Sequence, residues 1–93
     1  MGTFHHDKGE LHGITVVVVT DGPELFVGRC DTVTPQQVVL LDVEAHVEGE
    51  SSLSRDEYLK RVSMVGQRGD IPRVVVPTES VRSLQRLAEL ELH

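Results

Sequence analysis

Tryptophan is missing from this chain of 93 residues, and the remaining aromatics are one tyrosine and two phenylalanines. Val, Leu and Ile must therefore supply nearly all the buried surface. Side chains branched at Cβ fit a pleated, half-buried surface best, so the shortage points to strands. Cysteine is almost absent too. Cys30 alone excludes an internal disulfide and fits a reducing compartment. Long apolar runs are wanting: none exceeds the length of Val16 to Val19, which is far too short to cross a bilayer. The opening residues, Met1-Gly-Thr-Phe-His-His-Asp7, lack the basic start and apolar stretch of an export signal. The expectation is a cytoplasmic protein with no membrane segment.

Cationic charge is scarce. Nine Lys and Arg against fifteen Asp and Glu leave a net charge of −6, which argues against general nucleic-acid binding, because a polyphosphate needs a concentrated basic surface. The deficit is uneven. Residues 1 to 50 carry nine acidic and two basic side chains (Lys8 and Arg29), a balance of −7, whereas residues 51 to 93 carry six and seven, a balance of +1. Such halves can attract each other between neighbouring copies.

The chain is long enough for one domain and not two. Residues 1 to 12 are polar and without period, and read as a flexible N-terminal arm. The domain spans residues 13 to 93. Ile14 to Val19 is a β-branched run too short for a helix, and Thr20-Asp-Gly-Pro23 ends it with turn chemistry. Glu24 to Asp31 is a second strand, with Gly28 inside it, where a missing side chain permits a sharp bend or close backbone approach. After the loop Thr32 to Gln36, Gln37 to Glu48 forms the third and longest strand. Its odd positions Val39, Leu41, Val43, Ala45 and Val47 are apolar, and Asp42, Glu44, His46 and Glu48 are polar, while Val38 and Leu40 are apolar too, so both faces are expected to be buried at its start and one face, the other being wet, towards its end.

Gly49-Glu-Ser-Ser52 breaks that strand. Ser54 as N-cap, Glu57 three residues later, and the pair Leu53 and Tyr58 predict a capped helix over Arg55 to Val65, stopped by Gly66. A loop, Gln67 to Pro72, leads to a fourth strand, Arg73 to Val76, and a one-turn connection, Pro77 to Ser80. Val81 to Arg86 reads as a fifth strand. The alternative is a helical stripe through Val81, Leu84, Leu87 and Ala88. The fold class expected is mainly β: five strongly bent strands closed into a small barrel, with one helix inserted between strands three and four.

This order of elements resembles the Sm-like family, which includes Sm, LSm and Hfq-type proteins. The resemblance rests on Val16-Val-Val-Val-Thr-Asp-Gly-Pro-Glu-Leu-Phe-Val-Gly-Arg-Cys-Asp31 through Gln37-Val-Val-Leu-Leu-Asp42, and on Arg73-Val-Val-Val-Pro-Thr-Glu-Ser-Val81. It covers roughly half the chain, with motifs shared by SH3-like barrels. It implies a ring in which the fourth strand of one copy pairs with the fifth of the next, through Arg73, Val74, Val75, Val76, Val81, Arg82 and Leu84. The RNA-reading positions that the resemblance would supply are absent: Val33, Gln36 and Gln37 stand in the first block, and Pro77 and Thr78 replace the Arg-Gly pair of the second. The helix that precedes the family's first strand is replaced by a polar arm.

Chemistry-bearing residues are few. His5, His6, His12 and His46 follow no metal-site spacing, so no metal and no cofactor are expected. His46, on the polar face of strand three, reads as solvated. Cys30 beside Asp31 has no base placed near it and reads as a small core residue. Arg68-Gly-Asp70 and Asp21-Gly-Pro23 are turns. Around the helix, Arg55, Asp56, Glu57, Lys60, Arg61 and Arg68 make a mixed-charge face that reads first as a solvated surface, the alternative being partner docking through Arg55, Lys60, Arg61 and Arg68. The expected function is a non-enzymatic, homo-oligomeric scaffold or protein-interaction module. The alternative is an RNA- or DNA-binding protein using Gln37, Arg73, Arg82 and Arg86.

Overall fold

A computed structural model describes residues 11–50 and 52–90. Five strands form one antiparallel sheet: β1 (Thr15–Thr20), β2 (Glu24–Val33), β3 (Gln37–Val47), β4 (Ile71–Pro77) and β5 (Val81–Arg86), in the order β4-β3-β2-β1-β5. One helix, α1 (Arg55–Val65), joins β3 to β4, and short 3₁₀ turns occupy Thr78–Ser80 and Leu87–Glu89. The last segment is extended over Val81–Arg86 and pairs with β1, so the helical alternative is set aside. Most of the expected arm lies outside the described residues. Its end is fixed: Leu11 packs against the core and the His12 ring nitrogen Nδ1 is 2.8 Å from the Asp31 carbonyl.

Alternation along β1 sends side chains to two separate cores. Val16 and Val18 join Cys30, Val38, Leu40, Val43 and Val76 on the inner face. Val17, with Leu25 and Val27 of β2, takes Tyr58, Leu59 and Val62 of α1 on the outer face. The inner cluster draws on all five strands, with Ile71, Val74, Val81 and Leu84 packed at its margin. The sheet bends around it. The bend has a visible cause at Gly28, where a Cβ would meet Val43 Cγ2 at 2.8 Å and the Leu41 carbonyl at 2.9 Å. The β2–β3 register shifts there, and opposite it Asp42 is the one non-glycine residue with positive φ, 53°, among the described residues. Asp tolerates this left-handed conformation better than branched residues do.

The same bulge corrects the reading of β3. Up to Leu40 both faces are buried, but past Asp42 the alternation is displaced by one residue: Glu44 and His46 are buried, and Ala45 is exposed. One extra residue in the ladder reverses every side chain that follows it. The closed barrel is corrected as well. β4 and β5 lie at opposite ends of the strand order and do not pair, so the sheet is open. Both edge strands carry half-buried apolar side chains.

The helix begins and ends where expected. Ser54 Oγ accepts from the Glu57 N–H, Glu57 Oε1 accepts from the Ser54 N–H, and Gly66, at φ 84°, donates its N–H to Val62. No helix among the described residues is long and apolar enough to cross a membrane.

Candidate functional site

The displaced half of β3 brings polar groups under α1. Tyr58, fixed in the first turns of the helix by the capping box, stacks on His46 with ring centroids 4.6 Å apart and planes 17° from parallel. The Arg61 guanidinium sits 5.5 Å from the same tyrosine ring, one helical turn on. Glu44 is 8% exposed. A buried carboxylate is costly unless paired and hydrogen-bonded, and here Arg61 Nη2 donates to Oε2 at 3.1 Å while the Arg68 backbone N–H donates to Oε1 at 3.0 Å. His46 Nε2 lies 3.4 Å from Glu48 Oε1. Among the described residues, Tyr58 Oη and Arg61 Nε are buried with no hydrogen-bond partner of good geometry, although the Glu44 carboxylate lies close to the phenol. Burial, and then the Glu44 charge, push the Tyr58 phenol well above its ordinary value.

A solvent-open cleft of about 400 Å³ runs beside this cluster, between the end of β3, the segment entering α1, and Arg68. His46 is therefore not the solvated side chain expected from the alternation. At 3% exposure it is part of the helix–sheet contact.

The expected sites are distributed as follows. Of the docking set, Arg61 and Arg68 converge on Glu44, while Arg55 and Lys60 stay outside that cluster. The interface residues Arg73, Val74, Val75 and Val76 lie on one edge strand, and Val81, Arg82 and Leu84 on the other. Gln37 and Arg73 are at the β4 side of the strand order and Arg82 and Arg86 at the β5 side, with Arg86 held 3.4 Å from Glu89. Cys30 belongs to the inner core, its thiol pushed up by burial and then by Asp31. Of the four histidines considered for a metal, His5 and His6 lie outside the described residues. Among the described residues no group of three or more His, Cys, Asp and Glu is placed to hold a metal ion.

Sequence reasoning missed Glu44, His46 and Tyr58 as a unit. The signal was faint: Gly28 opposite Asp42 marks a bulge only once their register is known.

No family model matches the chain, and no curated protein matches it. A solved structure is similar: a chain of "Crystal structure of the NatC complex bound to CoA", at 21% identity over 90% of this chain and 88% of that one, with a TM-score of 0.57. At that identity the likeness shows the fold alone. These findings overturn the Sm-like assignment, since nothing in them indicates that family and the similar structure named above is a chain of the NatC complex. The strand, turn and Gly-bearing strand that suggested it are common to many small bent sheets, so the pattern did not carry family information.

Proposed function

We propose that this chain is a non-catalytic, homo-oligomeric assembly module that joins other copies through its two open edges, β4 and β5. The observation that carries the reading is the open sheet: the two outermost strands each present an unpaired backbone edge over a shared apolar core. Unpaired edges invite strand addition unless they are blocked. Thr78 N–H bonds to the Gln36 carbonyl, so by alternation Val76 and Val74 face β3, and Arg73 and Val75 turn their N–H and C=O groups outward. Pairing these with β5 of a second copy would close the bend into a barrel-like ring across chains. A second reading, a subunit that pairs its edge with a different protein, is supported by the likeness to a chain of the NatC complex.

Light scattering across a concentration series tests the first reading. The expected result is a mass above the monomer that falls to the monomer in Val75→Pro, which removes an outward N–H and leaves the β3–β4 bonds intact. A monomeric mass for the unaltered chain at high micromolar concentration would overturn it.

A further inference from the structure

A third stretch of open backbone lies away from both edge strands. β4 begins at Ile71, opposite Val43, and the pairing of β3 on that side goes no further. Glu48 N–H bonds to the Pro23 carbonyl, in register with Glu24 and Val47. Antiparallel alternation then turns the backbone groups of His46 and Glu44 toward β2 and those of Ala45 and Val47 to the open side. The Val47 carbonyl accepts from Glu50. Both groups of Ala45 and the N–H of Val47 have no backbone partner among the described residues, and both residues line the cleft beside α1.

The cleft has a closed end and a charge polarity. A strand added antiparallel to β3 would continue the line of β4 backwards, so its C-terminal end meets Ile71 and can go no further. Arg68 stands at that end, its backbone fixed by Glu44 and its side chain 69% exposed, with Nε still 3.8 Å from Glu44 Oε2. Arg61 and Arg68 share the single Glu44 carboxylate, so the three groups together carry one net positive charge, which a ligand carboxylate meets at the more exposed Arg68 in competition with Glu44 and with Asp70 nearby. Glu50 lies at the opposite, Val47, end. The geometry points to a docking groove for the free C-terminal tail of a partner protein, bound as a short added strand. Its terminal carboxylate pairs with Arg68 and a basic residue a few positions upstream meets Glu50. This site uses neither β4's nor β5's outer edge and does not depend on the assembly proposed above.

Two synthetic peptides test it against the full chain labelled with ¹⁵N: acetyl-Lys-Thr-Val-Thr-Val with a free carboxylate, and the same sequence ending in a carboxamide. The free acid is expected to shift the amide resonances of Ala45 and Val47, slow their hydrogen exchange, and bind about tenfold more tightly than the amide. Arg68→Gln, a substitution at an exposed side chain, is expected to bring the acid down to the amide's affinity. Equal binding of acid and amide would overturn the proposal, as would unshifted Ala45 and Val47 amides at about millimolar peptide. Shifts confined to Arg73 to Val76 and Val81 to Arg86 would also overturn it, by assigning strand addition to the outer edges.

Discussion

Tyr58 is the chain's sole tyrosine, which makes its environment directly measurable. Its phenol is held protonated by burial and by the nearby Glu44 carboxylate, above the ordinary value of 10.0. Below that pH the group is neutral whether the chain is folded or not, and it adds no pH dependence. Above it the unfolded chain loses the proton first, so the unfolded state binds fewer protons and stability falls as pH rises. Phenolate absorbance of the native protein is therefore expected to lag that of a urea-unfolded sample, and to appear together with unfolding. Coincident titration curves would contradict the packing of Tyr58 between His46 and Arg61. At this scale Cys30 could be read from the sequence as a core residue, because a small apolar side chain amid strand residues has few other places to go. His46 could not, because its face depended on one bulged residue.

The helix was the most legible element. Ser54, Glu57, Tyr58 and Gly66 are local signals that act within a few residues of one another, so their meaning survives in any tertiary setting. Ser54→Ala is expected to destabilise the fold by about 1 kcal/mol in denaturant titration, because the Glu57 N–H loses its acceptor. Hydrogen bonds from the Ser54 backbone and then its hydroxyl hold the Glu57 carboxyl below its usual range, a contribution present above the ordinary carboxylate pKa and lost as pH falls through the lowered one. In Ser54→Ala that acid-side dependence should shrink, which a pair of denaturation curves at neutral and low pH would read. Strand β3 was legible only in its first half. Its length and apolar content were plain, but the left-handed turn at Asp42 is set by what lies across the sheet at Gly28, and no local pattern announces it.

For the whole molecule, net charge and the placement of the cations bear on the nucleic-acid alternative. Arg73 lies at one end of the strand order and Arg82 and Arg86 at the other, on a chain of net charge −6. Retention of a labelled oligonucleotide is expected to be absent even at low salt, where phosphate contacts are strongest. Retention that weakens steeply as salt rises would instead favour the alternative.

By itself the sequence determined that this protein is mainly β, with four strands and one capped helix, because strand content follows from β-branched residues and the helix ends follow from local hydrogen-bonding groups, while Val81–Arg86 stayed open between strand and helix until its pairing with β1 was seen. Only the tertiary structure decided that the sheet stays open, that Glu44 and His46 lie beneath α1, and that β3 outruns β4 to leave bare backbone at Ala45 and Val47. Those outcomes depend on register between strands distant in the chain. A shift of one residue there costs little in local preference and reverses which groups are buried.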